Sequence, residues 1–233
     1  MNSHLCILFC YQNIQHIKQC YESLYLNNID FFVVENYSLN SEQIADYFSK
    51  CKNIIGHIRF DENITYRANE IFFEDYFKLC EQYNFITITD CDLLIKTKDA
   101  WEEIKNNLNF KDVGISCIDL CLKNFPYHIN NSDSWIPSPI DITDSYIECK
   151  TGVHLLTVKK ENFSILKTKP FIDYNIHNEI YNLNLKWVKT KFNKAIHLTW
   201  DLYNENGDYL KYKIENIHSL WNHLKTSNYT ILI

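Results

Sequence analysis

The sequence predicts an α/β domain with a mostly parallel central sheet flanked by helices. Short apolar runs rich in β-branched and aromatic residues alternate with segments whose apolar residues recur every three or four positions. Across 233 residues, 46% are hydrophobic, with 16 Tyr, 14 Phe and 5 Trp, which is ample apolar surface for one continuous core. Only 4 Gly and 4 Pro occur, so neither a P-loop nor a GxGxxG nucleotide cradle is available.

In chain order, residues 5–9 form an apolar run that reads as a buried strand. Residues 12–26 then place Ile14, Ile17, Tyr21 and Leu24 on one helical stripe. A second buried strand is expected over 30–36, a short helix over 41–51 and a third strand over 53–60. This β-α-β-α-β alternation implies parallel pairing with right-handed crossovers. Ile71, Phe72, Tyr76, Leu79 and Cys80 stripe a helix over 66–83, and β-branched residues make 84–90 the fourth strand. A helix over 101–108 and a strand over 113–118 follow. Residues 119–146 hold three of the four Pro and a polar run, and read as a long irregular excursion, a candidate wall or lid. Beyond it, strands are expected at 151–158, 187–190 and 194–199, and helices at 175–183 and 212–224. One domain is expected, with residues 1–118 as a ligand-binding half and 119–233 as a second half.

A formal charge of −6 gives no basic field for nucleic acid. Nine scattered Cys without a CxxC pair read as reduced thiols of a cytoplasmic protein, not as disulfides or zinc ligands. The N-terminus shows no basic segment ahead of an apolar run, and no 18-residue apolar stretch exists, so a soluble, unexported chain is expected. Lysines around the 212–224 helix would allow at most weak peripheral contact with a membrane.

Asp90-Cys91-Asp92 lies at the carboxyl end of the fourth strand, the edge where open α/β sheets bind ligands. The period of two sends both carboxylates to one side, an arrangement that a hard divalent cation, Mg²⁺ or Mn²⁺, would neutralise. Trp135, Tyr127 and Trp200 offer flat aromatic surfaces on which a ligand ring can stack.

From Leu5 to Asp201 the order of these segments resembles the GT-A nucleotide-sugar glycosyltransferases, particularly the large inverting family of bacterial surface-polysaccharide synthesis. The resemblance implies a Rossmann-like GT-A fold with a smaller acceptor-side β region. It implies nucleotide contacts from Cys10 and Tyr11 at the end of the first strand, and from Glu35 and Asn36 at the end of the second, Glu35 standing where Asp is usual. Arg67 and Asn69 would join them, as would Asp90. Asp90 and Asp92 would hold the metal, with His197 as a late ligand to metal or diphosphate. Gly152 and His154, with Trp135, would border the acceptor. Asp173, in Ile172-Asp173-Tyr174-Asn175, falls on the residue that serves as catalytic base in inverting members, although Ile172 and Asn175 replace two family carboxylates. Asp173 could also be the N-cap of the helix that follows. The implied activity is metal-dependent transfer from a nucleotide-diphosphate sugar to a glycan or glycoconjugate hydroxyl. A nucleotidyltransferase and an inactive nucleotide-sugar-binding module are the alternatives.

Overall fold

The structure, a computed structural model, describes residues 2–11, 13–125, 138–152, 154–201 and 228–233. The expected helix over 212–224, with the lysines around it, and the residues Trp135 and Tyr127 lie outside the described residues.

The first half follows the expected winding. β1 (His4–Cys10), α1 (Ile14–Leu24), β2 (Ile29–Glu35), α2 (Ser41–Ser49), β3 (Ile54–Phe60), α3 (Arg67–Cys80) and β4 (Phe85–Asp90) succeed one another. β1 pairs in parallel with both β2 and β4, and β2 with β3. β1 and β2 are largely apolar on both faces because helices cover both, whereas β3 carries His57 and Arg59 and β4 carries Thr87 and Thr89. On β1, Leu5, Ile7 and Phe9 enter the layer under α3, while Cys6, Leu8 and Cys10 enter the layer under α1 and α2. α1 starts where it does because the Asn13 side chain accepts the N–H groups of Gln15 and His16, and it buries Ile17, Cys20, Tyr21 and Leu24.

The second half is woven less regularly. Next come β5 (Leu93–Ile95), α4 (Asp99–Asn107), β6 (Val113–Leu120), β7 (Asp141–Ile142), β8 (Tyr146–Glu148), β9 (Leu156–Lys159), α5 (Asp173–Asn182), β10 (Lys186–His197) and β11 (Tyr229–Ile231). All eleven strands join one sheet in the order β11-β3-β2-β1-β4-β9-β6-β10-β8-β7, with β5 alongside β10. β1, β2, β3, β4, β6, β7 and β10 point one way; β5, β8, β9 and β11 oppose them. The sheet is therefore mostly parallel, with an antiparallel strand, β9, inserted between β4 and β6.

Four expectations change here. The strand expected from residue 151 begins only at Leu156, because Gly152 adopts φ +128° and turns the chain first. The two strands expected at 187–190 and 194–199 are one strand, β10, whose pairing to β6 shifts register between Lys189 and Lys194. That irregularity is held by Glu103, whose carboxylate accepts the N–H groups of Lys191, Phe192 and Asn193 at 2.6, 2.9 and 2.8 Å. Glu103 of α4, which by its sequence alone would be placed on a solvated helix face, is thus a structural clamp. Finally, β7 and β8 occupy the end of the segment expected to be irregular. All nine cysteines are free thiols, as expected.

Candidate functional site

The carboxyl ends of β1, β2 and β4 form the edge to which the sequence assigns ligand binding. Asp90 ends β4 and is exposed, whereas Cys91 turns inward and meets Cys10 at 3.0 Å between sulfurs. The short strand β5 then directs the site. Its antiparallel register with β10 sets His197 opposite Leu93, so that the late histidine arrives beside Asp92. His197 Nε2 lies 3.5 Å from Asp92 Oδ2, which also accepts the Thr199 hydroxyl at 2.7 Å. The backbone fixes the same junction, since the N–H of Leu198 donates to the Asp92 carbonyl at 2.7 Å. Trp200 stacks flat on His197, with ring centroids 4.9 Å apart and planes within 5°, so its ring orients the imidazole.

His154 closes this corner edge-on to His197 at 5.3 Å between centroids. Desolvation, and then the neighbouring His197, push its pKa down to about 3, so it is a neutral imidazole. His16, from the first turn of α1, also senses Asp92 and His197; burial lowers its pKa and the Asp92 charge opposes the shift. Neither His16 nor Thr199 was singled out by sequence, because each becomes a neighbour of Asp92 only through the sheet.

Asp173 is brought to the other side of the turn at Gly152. The Phe171 N–H donates to Glu70 at 3.0 Å and Asn175 Nδ2 to the Pro170 carbonyl at 3.0 Å, so the start of α5 is anchored on α3 and on its own loop. Ile172, not Asp173, occupies the N-cap position, and Asp173 is the first helical residue. The capping reading of Asp173 is therefore corrected: its carboxyl faces a backbone hydrogen bond from Gly152 instead. Burial raises its pKa from the ordinary carboxylate value, with the Gly152 bond and the Lys189 charge opposing. Lys189 of β10 was not anticipated, since a lysine beside buried Trp187 and Val188 reads as a surface position.

Two expected nucleotide contacts are corrected. The Glu35 carboxylate is 0% exposed and already taken: Arg59 Nε lies 3.2 Å away, His57 Nε2 3.4 Å away, and the Ser41 hydroxyl donates to it. β3 pairs beside β2 with Arg59 opposite Glu35, so the acid is neutralised inside the sheet and cannot reach a base. The Cys10 thiol is also fully buried, and burial raises its pKa, leaving only its backbone at the site. Tyr11 is exposed at the same edge. Asn36 is a loop clamp, accepting the Ile64 N–H at 2.9 Å and donating to the Thr65 carbonyl at 3.1 Å. Arg67 is paired along its own helix with Glu70 and Glu74, while the buried Oδ1 of Asn69 has no hydrogen-bond partner among the described residues.

Among the described residues, no group of three or more His, Cys, Asp or Glu side chains is arranged to hold a metal by itself. The Asp92–His197 pair does fit part of a shell. Its donors are a carboxylate oxygen and an imidazole nitrogen 3.5 Å apart, two donor types that a divalent ion such as Mn²⁺ accepts. Such a shell would be completed by Asp90, by phosphates and by water.

No protein-family model matches the chain. Among curated proteins, the chain is 32% identical over 245 residues to Uncharacterized protein L142 of Acanthamoeba polyphaga mimivirus, covering 97% of this chain and 50% of that one. It is 29% identical over 250 residues to Uncharacterized protein L137 of the same virus, covering 97% and 33%. The chain thus spans half or less of the length of these relatives. Among solved structures it is similar to a mannosyltransferase from Pyrobaculum calidifontis in complex with GDP-Man and Mn²⁺, with TM-score 0.58 and 12% identity, over 84% of this chain and 57% of that one. GalNAc-T7 with UDP, GalNAc and Mn²⁺ gives TM-score 0.59 and 8% identity, over 84% and 44%. The fold is GT-A. The 4-diphosphocytidyl-2C-methyl-D-erythritol synthase of Anaerococcus prevotii is also similar, with TM-score 0.51 and 12% identity over 90% and 99%. The GT-A architecture explains why Asp90, Asp92 and His197 meet at one edge, since all three sit where strands of the central sheet end. No helix among the described residues is long and apolar enough to cross a membrane.

Proposed function

We propose that the chain is a divalent-metal-dependent glycosyltransferase that moves a sugar from a nucleotide-diphosphate donor to a hydroxyl of a glycan or glycoconjugate, with inversion. The observation that carries this reading is the convergence of Asp92 and His197, 3.5 Å apart, at the strand edge that also bears exposed Asp90. The GT-A fold and the GDP-Man, UDP and Mn²⁺ held by two similar structures support it.

In this mechanism Asp90, Asp92 and His197 would hold Mn²⁺ or Mg²⁺, and the ion would supply positive charge to offset the negative charge developing on the leaving diphosphate. Tyr11, Asn36, Asn69 and Asp90 border the nucleotide, with Arg67 nearby. Asp173 takes the proton of the attacking acceptor hydroxyl, and its burial-raised pKa strengthens it as a base. A single displacement with one base inverts the anomeric centre. Neutral His154 and the backbone of Gly152, against which Lys189 packs, form the wall between base and metal side.

Calorimetric titration with UDP and GDP, with and without Mn²⁺, tests the donor half of this reading. Metal-dependent binding that is lost in Asp92→Asn supports it; equal binding without metal contradicts it. The similarity to the cytidylyl-handling synthase keeps nucleotidyl transfer as a second reading. The products separate the two, because sugar transfer releases a nucleoside diphosphate and nucleotidyl transfer releases pyrophosphate.

A further inference from the structure

β10 carries four lysines, and three of them are spoken for. Lys186 pairs with Asp112 at 3.0 Å, Lys194 with Asp119 at 2.7 Å, and Lys191 donates to the Thr143 carbonyl at 2.6 Å. Lys189 is different: among the described residues its ammonium has neither an ion pair nor a hydrogen bond, although the side chain is half-buried. It lies against Gly152, where a Cβ would come within 3.0 Å of Lys189 Cε and 3.7 Å of Nζ. Its charge is felt by Asp173 and His154, and by the thiols of Cys117 and Cys149, which burial keeps protonated. Asp173 feels the Lys189 field, but among the described residues no carboxylate is in ion-pair contact with the half-buried ammonium, so its hydrogen-bonding capacity is open to a further anion.

We propose that Lys189 binds a carboxylate or phosphate carried by the sugar whose hydroxyl faces Asp173, so that the site selects an acidic acceptor. This rests on the assignment of Asp173 as the base. A neutral acceptor would leave the Lys189 charge to weaken that base, because a nearby cation favours the ionised carboxylate over the protonated one. An anion seated on Lys189 cancels the charge locally and restores the basicity that burial confers. The geometry also places Lys189 on the Gly152 and Asp173 side of the site, whereas the diphosphate belongs to Asp90, Asp92 and His197.

The full chain is titrated by NMR with glucose, glucuronate and glucose 6-phosphate, for the native protein, Lys189→Gln and Lys189→Arg, each first checked for a native melting transition. At least one acidic sugar should bind about tenfold or more tightly than glucose, as expected for one charge-assisted contact. Which of the two does so tells carboxylate from phosphate. The preference should vanish in Lys189→Gln and persist in Lys189→Arg. Equal binding of all three sugars, or a preference that survives in Lys189→Gln, overturns the proposal. So does a Lys189→Gln defect confined to UDP or GDP affinity, which would put the ammonium on the leaving group. No donor turnover is needed, so acidic-sugar selectivity is read even if the transferase assignment fails.

Discussion

His197 meets Asp92 because β5, only three residues long, pairs antiparallel with the end of β10. The contact therefore depends on the sheet and not on either loop alone. Asp92→Asn retains the shape and can still accept the Thr199 hydroxyl, so the fold should hold while Mn²⁺-dependent nucleotide affinity falls at least about tenfold, in line with losing a charged ligand. His197→Ala should give a similar loss and also release Trp200. Chelation by EDTA should reduce nucleotide binding of the native protein to the level of the variants. Calorimetry reads all three, and unchanged affinity in Asp92→Asn would remove the pair from the donor site.

Asp173→Asn separates catalysis from stability. Burial raises the folded-state pKa, so the folded chain holds its proton to higher pH than the unfolded one, and stability contributed by this group is lost as pH rises through that window. Removing the titrating acid should leave the variant at least as stable as the native protein at pH 7, by thermal melting. Its kcat should nevertheless fall by roughly 10² to 10⁴, the usual worth of a general base. If Asp173 is the base, the rising limb of kcat against pH in the native protein should be shifted upward from the ordinary carboxylate value. A destabilised but active Asp173→Asn would assign the residue to architecture.

The sequence made the parallel half of the sheet legible because apolar or β-branched runs alternate with helical stripes there, even though residues 53–60 are of mixed polarity. Asp90, Asp92 and the start of α5 were legible as strand-end and helix-start positions. What escaped were features made by partners distant in sequence. Leu93–Ile95 looks like a loop until β10 arrives, and the polar step at Lys191–Asn193 looks like a strand end until the Glu103 carboxylate is seen to hold its N–H groups. Glu35 reads as a free carboxylate because nothing in its own segment reveals Arg59 and His57 on the adjoining strand. Lys189 reads as surface because its isolation is defined by where the other three β10 lysines find partners.

His4 sets a pH limit on stability. It is buried in β1, bonded to Thr87 Oγ1 at 2.7 Å and edge-on to Trp101, and burial followed by the Lys105 charge lowers its pKa to about 3. The unfolded chain takes up a proton near the ordinary value of 6.5, which the folded chain refuses. Stability from this group is thus complete above pH 6.5 and is lost as pH falls from there towards 3. In that window the loss should approach about 1.4 kcal/mol per pH unit. His154 acts in the same direction. Urea unfolding between pH 5 and pH 7 in His4→Gln should show a slope shallower by about that amount; an unaltered slope would mean that His4 protonates without unfolding.

The buried acid at the end of β2 predicts a stability defect where the sequence alone predicts a binding defect. Arg59→Leu leaves the Glu35 carboxylate inside the protein with the Ser41 hydroxyl and His57 but without its guanidinium, and breaking such a pair from one side costs about 3–5 kcal/mol. Glu35→Gln alone should cost less, since an amide oxygen can still accept from Ser41 and the Arg59 guanidinium, 19% exposed and also bonded to Glu42, retains one acidic partner. Combining the two changes should recover much of the Arg59→Leu loss, because the uncompensated charge is gone. Urea unfolding of the native protein, both single variants and the double variant closes the cycle, and a coupling energy near zero would contradict a buried ion pair. In variants that remain folded, nucleotide affinity should change less than twofold to threefold. A large affinity loss in a fully folded Glu35→Gln would instead return Glu35 to the nucleotide.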